Sequence, residues 1–283
     1  MGDTSNSSGM PVSAPPAPPP ADPWADLRRH TPARIALGRA GTSLPTAELL
    51  RFAAAHAQAR DAVHIPLDMA TLAAQLHTQG WATLPAHSRA PDRASYLRRP
   101  DWGRQLDDTS LASLQAAATT LPGPPDLLIV LGDGLSAVAV QQHGAGLVAA
   151  LRAALQSSPG PGLTLAPLII AAQARVALAD QIGALLQARL VLMLLGERPG
   201  LSAPDSIGAY LTHAPQVGCC DAQRNCVSNI RPDGLPPHHA ALRLVWLVRE
   251  ALRRGLTGVA LKDDSAAALL AHSAAPLLPG HST

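Results

Sequence analysis

Runs of apolar residues without polar alternation divide the second half of the chain. They lie at residues 127–131, 163–171 and 190–195, and the stretch 256–261 is interpreted as a last strand. Helical patterns separate the runs: one follows the first run through His143, and two more cover residues 174–186 and 237–254. Apolar strands that alternate with helices are typical of a parallel sheet buried on both faces. We therefore predict an α/β fold for residues 116–283, with a doubly wound, mostly parallel sheet.

The preceding region, residues 24–115, shows helical periodicity interrupted by irregular loops. Ser43-Leu44-Pro45-Thr46 combines a capping hydroxyl with a proline in the first turn, which predicts a helix start. Pro66-Leu67-Asp68 predicts the start of a second helix, which Gly80 ends. Residues 94–106 are interpreted as a loop. This part of the chain is predicted to be a helical N-terminal region.

The first 23 residues are mostly proline, serine, alanine and glycine. Such a segment has too little apolar surface to offset the entropy lost on ordering. Residues 1–23 are therefore predicted to be a disordered, proline- and serine-rich tail.

Composition and charge exclude several classes of protein. The net charge is only +2, the basic residues are scattered, and aromatic residues make up 2% of the chain. A nucleic-acid-binding protein usually has a basic stripe with stacking aromatics, which this sequence lacks. The apolar runs are too short to span a bilayer, and the start of the chain does not resemble a secretory signal. We expect a cytoplasmic protein that binds neither nucleic acid nor membrane.

Three cysteines, Cys219, Cys220 and Cys226, crowd into eight positions. Their odd number and the lack of a signal argue against a disulfide framework, and their spacing does not match a zinc site. The surrounding segment, residues 221–231, is polar and lacks strong periodicity. We predict no metal ligand here, and no motif along the chain predicts a catalytic residue.

Two loops follow predicted strands, at the edge where a doubly wound sheet binds its ligand. In the first, Gly132-Asp133-Gly134, the glycines indicate either a tight turn or a place where a phosphate or ring approaches the backbone. In the second, Gly196-Glu197-Arg198-Pro199-Gly200, Glu197 is either a ligand contact or half of a surface ion pair with Arg198. The patterns alone do not name the ligand.

Six strings occur together, at residues 31–41, 56–63, 196–201, 204–206, 224–229 and 258–263. In the same order, they resemble the ethanolamine ammonia-lyase light-chain (small-subunit) family. The resemblance extends from about residue 24 to residue 264. It implies a two-subunit enzyme that depends on adenosylcobalamin (coenzyme B12) and converts ethanolamine to acetaldehyde and ammonia by radical chemistry.

In that family the heavy chain, a β/α barrel, holds ethanolamine, and the α/β domain of the light chain covers the other side of the corrin. The light chain supplies no catalytic residue. The family's cofactor contacts correspond here to Val176, to Glu197 in Gly-Glu-Arg-Pro-Gly, and to Cys226 in Arg-Asn-Cys. The resemblance implies that Glu197 accepts hydrogen bonds from the cofactor, that Val176 makes apolar contact, and that Cys226 packs as a small soft group. Residues 116–283 would then be a cobalamin-binding domain.

The sequence also departs from related proteins. The Asp-x-His-x-x-Gly motif of cobalamin proteins that replace the benzimidazole with histidine is absent, in keeping with a family that keeps the benzimidazole on cobalt. Some relatives begin with an amphipathic helix that directs them into a bacterial microcompartment, and the proline-rich start here does not form one. Residence in a microcompartment or free in the cytoplasm stays open. Two alternatives are a stand-alone nucleotide-dependent enzyme and an assembly subunit without a ligand.

Overall fold

The computed structural model describes residues 24–266, so the tail predicted at residues 1–23 lies outside the described residues. The chain divides into two compact units, one ending at Ala55 and the other beginning at His56. The helix α1 (Thr46–His64) contains the division. It begins where Pro45 and Thr46 predict a helix start.

The first unit has structure but no core. It contains a 3-10 helix at Ala25–Arg29, an irregular stretch, and the first half of α1. Glu48 forms ion pairs with Arg28, at 3.5 Å, and with Arg51. None of the described residues from 24 to 55 is buried. The unit is therefore held by local polar contacts and not by packed apolar side chains.

The second unit is built on a six-stranded sheet with the order β1-β3-β2-β4-β5-β6. The first four strands in this order are parallel, and β5 and β6 join antiparallel at one edge. The α/β class and the mostly parallel sheet are thus confirmed, whereas the doubly wound arrangement stays a prediction. The strands are β1 (Thr83–His87), β2 (Leu127–Gly132), β3 (Leu168–Ala172), β4 (Leu190–Gly196), β5 (Ile207–His213) and β6 (Arg224–Ile230).

Helices pack on both faces of the sheet. Every residue of β2 and β4 is buried, because alternate side chains enter two separate apolar clusters. Each fully buried aliphatic side chain of this kind contributes roughly 1.5–3 kcal/mol. The helices of the second unit are α2 (Met69–Thr78), α3 (Arg93–Arg98), α4 (Asp108–Thr120), α5 (Ala137–Ser157), α6 (Leu178–Leu185) and α7 (Pro237–Arg254). The first cluster includes side chains from α2, α5 and α7, and the second includes side chains from α4 and α6.

Some predicted elements differ from the structure. The strand β1 lies inside the region 24–115, for which only helices and loops were predicted. The helix α3 and a 3-10 helix at Trp102–Arg104 occupy the predicted loop at residues 94–106. The strands β5 and β6 were not predicted, and β6 lies in the polar segment 221–231.

The predicted last strand at residues 256–261 is wrong, because this stretch forms a 3-10 helix at Gly258–Ala260. Gly258 has a φ of +80°, a left-handed backbone that no strand adopts. The Asn225 side chain accepts a hydrogen bond from the Gly258 N–H at 2.8 Å and donates one to the Leu261 carbonyl at 2.8 Å. These two backbone groups therefore find their hydrogen-bond partners in a side chain and do not need a neighbouring strand.

No helix within residues 24–266 is long and apolar enough to cross a membrane. The same residues contain no group of three or more His, Cys, Asp or Glu side chains arranged to hold a metal ion.

Candidate functional site

Glycines at the carboxyl ends of β2 and β4 allow the backbones of these two segments to lie very close together. Gly134 has a φ of +56°, and a Cβ atom there would lie 2.1 Å from the Gly196 carbonyl oxygen. A Cβ atom on Gly196 would lie 2.0 Å from the Ser136 carbonyl oxygen. The Leu135 N–H donates to the Gly196 carbonyl at 2.9 Å. The glycines are therefore explained by close approach within the chain, which favours the tight-turn interpretation of Gly132-Asp133-Gly134.

Asp133 joins the ends of β2 and β3. Its carboxylate accepts hydrogen bonds from the backbone N–H groups of Gln173 and Ala174, each at 2.8 Å, and lies 3.6 Å from Arg93 Nη1. Asp133 is 2% exposed, and burial raises the pKa of its carboxyl group. The Asp133 side chain holds the loop after β3 in place and does not face a ligand.

Tyr96 of α3 is placed between two arginines. The guanidinium carbon of Arg93 lies 4.6 Å from the centre of the Tyr96 ring, and that of Arg175 lies at 4.5 Å. The Tyr96 hydroxyl donates to the Ala174 carbonyl at 3.0 Å, and burial raises the pKa of this phenol to about 12. Because Tyr96 stays neutral and fixed, it holds Arg175 in one place at the carboxyl edge of the sheet.

Two of the three predicted cofactor contacts line one cavity at this edge. The cavity has a volume of about 450 Å³, and its lining includes Val176 and Glu197 together with Tyr96, Arg175 and Tyr210. We call it the ligand-edge cavity. Val176 follows β3 and Glu197 follows β4, so the parallel strands bring the two residues together. The third residue, Cys226, is the partner of Tyr210 in the pairing of β5 with β6.

Glu197 bridges its own loop and the edge of the sheet. Its backbone N–H donates to the Ser206 carbonyl at 2.9 Å, and its Oε2 accepts from the Asn229 N–H at 3.1 Å. Gly208 leaves room for the carboxylate, since a Cβ atom there would lie 3.0 Å from Oε1. Within residues 24–266, Glu197 forms no ion pair with Arg198. The surface-pair interpretation is therefore not supported by the structure.

The Asn229 N–H that Glu197 satisfies lies at an irregularity in the sheet. The pairing of β5 with β6 shifts by one residue between Ile207 and Ala209, and Asn229 has a φ of +57°. A shifted register of this kind leaves one backbone group without its ladder partner. Glu197 supplies the missing acceptor with one carboxylate oxygen, and among the described residues no hydrogen bond occupies the other.

Tyr210 and Cys226 are neutral neighbours of Glu197. Burial, followed by the nearby Cys226 and Glu197, raises the pKa of Tyr210 to about 12. Partial burial, followed by the Glu197 carboxylate, also raises the pKa of the Cys226 thiol, although the residue keeps an exposed surface. A thiol with a raised pKa is a poor nucleophile at neutral pH. Both side chains are thus suited to packing and not to covalent chemistry.

The loop that carries Glu197 is fixed at its far end. Asp205 accepts hydrogen bonds from Arg231 Nη1 at 2.7 Å and from His143 Nε2 at 3.0 Å. The Ser136 hydroxyl donates to the Pro204 carbonyl at 2.7 Å. These contacts attach the loop to α5 and to the segment after β6. Glu197 is therefore positioned before any ligand binds.

A larger cavity adjoins the ligand-edge cavity. It has a volume of about 980 Å³ and shares Arg175 and Val176 with it. Arg224 contributes to its wall and is bound bidentately to Asp180, at 2.5 and 2.7 Å. Both members of this pair are buried.

Sequence reasoning missed the side chains that support the predicted contacts. Tyr210 was missed because the strand that carries it was not predicted. The resemblance identified Val176 as a cofactor contact and gave no role to Arg175, the residue before it. Tyr96 fell in a segment interpreted as a loop, and no local pattern indicates its contact with two arginines.

Comparison with known proteins identifies the family to which this chain is similar. The family model described as ethanolamine ammonia-lyase light chain (EutC) matches residues 21–262. Similar curated proteins include an ethanolamine ammonia-lyase small subunit from Ralstonia nicotianae, which is 55% identical over 249 residues, 88% of this chain and 91% of the relative. The small subunit from Pseudomonas syringae pv. tomato is 54% identical, over 87% of this chain and 85% of the relative. That from Pseudomonas fluorescens is 51% identical, over 93% and 94% respectively.

Proposed function

This chain belongs to the ethanolamine ammonia-lyase light-chain family, and we propose that it binds adenosylcobalamin where it meets the large subunit of that enzyme. The chain is a subunit of an ammonia-lyase. In the proposed holoenzyme the large subunit, a β/α barrel, holds ethanolamine, which is converted to acetaldehyde and ammonia. No catalytic residue is assigned to the small subunit.

One observation carries the proposal. Val176, Glu197 and Cys226 are distant in sequence, yet the fold gathers them around Tyr210. Val176 and Glu197 follow parallel strands, at the edge where α/β sheets bind their ligands, and Cys226 pairs with Tyr210 in the antiparallel strand β6. An assembly subunit without a ligand has no need of such a cluster.

The residues at this edge fit a cobalamin. A corrin is a large ring that carries neutral amide side chains, so it needs hydrogen-bond acceptors, donors and apolar contacts. Glu197 offers an acceptor, Val176 and Leu195 offer apolar contact, and Arg175 offers donors. Arg175 Nε is buried and has no hydrogen-bond partner among the described residues. Adenosylcobalamin, when bound, supplies the radical chemistry, while the protein binds, orients and shields it.

The size of the ligand-edge cavity supports a shared site. A volume of about 450 Å³ accommodates part of a corrin but does not enclose it. The remaining surface of the cofactor is left for a second chain to cover, so the cofactor would lie between the subunits.

The first unit also supports the proposal of a large-subunit partner. Large apolar side chains are exposed on it, among them Leu50 at 65%, Leu49 at 50% and Phe52 at 46%. Exposed apolar groups that are close together often mark an interaction surface. Because no described residue of this unit is buried, contact with another chain would give the unit the apolar packing that it lacks.

A reconstitution experiment tests the proposed function. The purified chain, the large subunit and their mixture are each titrated with adenosylcobalamin, and cofactor absorbance and acetaldehyde are recorded. We expect the mixture to bind the cofactor and release acetaldehyde, and the small subunit alone to release none. Turnover by small subunit rigorously freed of its partner would contradict the proposal. Equal cofactor affinity of the large subunit with and without this chain would favour an assembly subunit.

The proposal also includes the place of action, which is the cytoplasm or a bacterial microcompartment within it. Fractionation of cells that grow on ethanolamine tests this point. Recovery of the protein with membranes or in the medium would contradict it.

A further inference from the structure

The larger of the two adjoining cavities is lined by four arginines, Arg89, Arg104, Arg175 and Arg224. We call it the arginine cavity. It lies next to the ligand-edge cavity, and Arg175 and Val176 belong to the walls of both. A ligand that covers Val176 therefore has direct access to the arginine cavity.

Three of the four arginines lack a neutralising partner. Arg89 Nη1 donates to the Gln105 side chain at 2.8 Å, and Arg175 Nη2 donates to the Tyr96 carbonyl at 3.3 Å. Within residues 24–266, no carboxylate forms an ion pair with Arg89, Arg104 or Arg175. Of the four, Arg224 is paired, with Asp180 and, at 3.5 Å, with Asp221. Like charges that converge on a concave surface raise the local concentration of anions.

Two carboxylates also line the arginine cavity, and neither cancels this charge. Asp221 lies 3.5 Å from Arg224 Nε, and its side chain is fully exposed to solvent, which weakens its influence. Asp108 lies in the first turn of α4, where the amino end of the helix favours a negative charge. Because Asp180 neutralises Arg224, three arginines remain against these two aspartates, and the lining as a whole is positive.

Arg175 is held in position with donors to spare. Its backbone N–H donates to the Gly103 carbonyl at 2.8 Å, and its side chain lies over the Tyr96 ring. A Cβ atom on Gly103 would lie 2.7 Å from Arg175 Cγ, so the glycine makes room for this conformation. The buried Nε of Arg175 has no acceptor among the described residues, and an unpaired buried donor is costly. A ligand that brings oxygen acceptors would use a guanidinium that is already fixed.

We propose that the arginine cavity binds the phosphate diester of the cofactor's nucleotide portion. This inference rests on the proposed function, because the ligand is taken to be a cobalamin. The corrin side chains are neutral amides, and the phosphate diester is the anionic group of the molecule. Arginine is suited to phosphate because its planar fork donates two parallel hydrogen bonds. The ligand-edge cavity then holds part of the corrin, and the arginine cavity binds the nucleotide portion through its phosphate diester.

The test compares cobalamin with cobinamide, which has the corrin but lacks the phosphate diester and the nucleotide. Dissociation constants for cyanocobalamin and dicyanocobinamide are measured by absorbance titration of the complex with the large subunit, without turnover. The variants are Arg104→Gln and Arg89→Gln, since Arg175 also supports Tyr96. Arg98→Gln is the matched control, because Arg98 is exposed and lines neither cavity.

We expect each variant of the arginine cavity to weaken cyanocobalamin binding by roughly 5- to 10-fold. Dicyanocobinamide binding should change by less than about 2-fold, and the control variant should leave both constants unchanged. Added salt should weaken cobalamin binding more than cobinamide binding, because only the former uses the charge.

Other outcomes overturn the inference in distinguishable ways. Equal losses for both ligands would show that the arginines support the fold or the corrin, and unchanged constants would remove them from the site. Inorganic phosphate that binds the complex without competing with cyanocobalamin would show a site for a free anion. If the wild-type complex binds neither corrinoid, the proposed function itself fails.

Discussion

The substitution Glu197→Gln separates two roles that the structure gives to one carboxylate. Glutamine has the same shape, and its carbonyl oxygen is able to accept the Asn229 N–H that Glu197 Oε2 now accepts at 3.1 Å. The irregular pairing of β5 and β6 should therefore survive. The second carboxylate oxygen, however, becomes an NH₂ donor and the negative charge is lost. If that oxygen accepts a hydrogen bond from cobalamin, the variant folds normally and binds the cofactor weakly.

The size of the effect follows from the kind of bond that is lost. A hydrogen bond to a charged group contributes about 1.5–3 kcal/mol, which corresponds to a roughly 10- to 150-fold weaker affinity. Cys226→Ala should cost less, because it removes packing without removing charge. Glu197→Ala should also destabilise the fold by roughly 1 kcal/mol, since it leaves the Asn229 N–H without its acceptor.

Cofactor titration of the reconstituted complex measures the affinity, and thermal unfolding of the same samples measures the fold. Glu250→Gln on α7 is a matched control, because this residue pairs with Arg253 and lines neither cavity. A folded, assembled Glu197→Gln variant with unchanged affinity would refute the reasoning. Glu197 would then serve only as the acceptor for the Asn229 N–H.

The reactivity of the Cys226 thiol gives a second measure of the negative charge on Glu197. The Glu197 carboxylate contributes to the raised pKa of the Cys226 thiol, so Glu197→Gln should lower that pKa. In a background where Cys219 and Cys220 are replaced by serine, alkylation of Cys226 at fixed pH should become faster. An unchanged rate would mean that the carboxylate does not act on the thiol.

Three further substitutions test the fold around the site. Gly134→Ala should destabilise the protein by about 3 kcal/mol or more in denaturant unfolding, because the new methyl group meets the Gly196 carbonyl. Asp180→Ala should cost roughly 3–5 kcal/mol by leaving Arg224 charged and buried, and Asp180→Leu combined with Arg224→Met should recover most of that loss. The pKa of Asp205 lies below its ordinary value, because hydrogen bonds from a histidine and an arginine outweigh the effect of its burial. Its contribution should therefore be complete above about pH 4 and fall as the pH drops through the lowered pKa, so the stability gap between wild type and Asp205→Asn should close in acid.

Three of the four parallel strands, β2, β3 and β4, were predictable because burial on both faces leaves a plain signature in the sequence, whereas the parallel edge strand β1 is mostly not buried and was missed. All residues of β2 and β4 are buried, so both strands appear as unbroken apolar runs. The strand β6 gives no such signal, since most of its residues, from Arg224 to Ile230, are partly or fully exposed at the sheet edge. The stretch 256–261 gave the opposite error: its apolar residues suggest a strand, but the backbone of Gly258 bonds to the Asn225 side chain.

The same physical difference determines how much of the candidate site could be predicted. Val176 and Glu197 follow parallel strands, so the rule for carboxyl ends places them at one edge of the sheet. Placing Cys226 beside them requires the antiparallel pairing of β5 with β6, which no local pattern indicates. Its assignment depended on the resemblance alone. Tyr210 could not be found by either route, because it acts as the common neighbour of residues that are distant in sequence.

The supporting contacts also determine what binding should cost. Ordering a flexible polar side chain on binding costs roughly 0.5–1.5 kcal/mol. Glu197 is already held by the Asn229 N–H, and Arg175 is already held over Tyr96, so this cost is met when the chain folds. Contacts within the second unit hold these two side chains in place, whereas the exposed apolar side chains of the first unit lack comparable packing. We therefore infer that the partner subunit acts by covering the cofactor and by packing against the first unit, and that it need not rearrange the residues proposed to contact the cofactor.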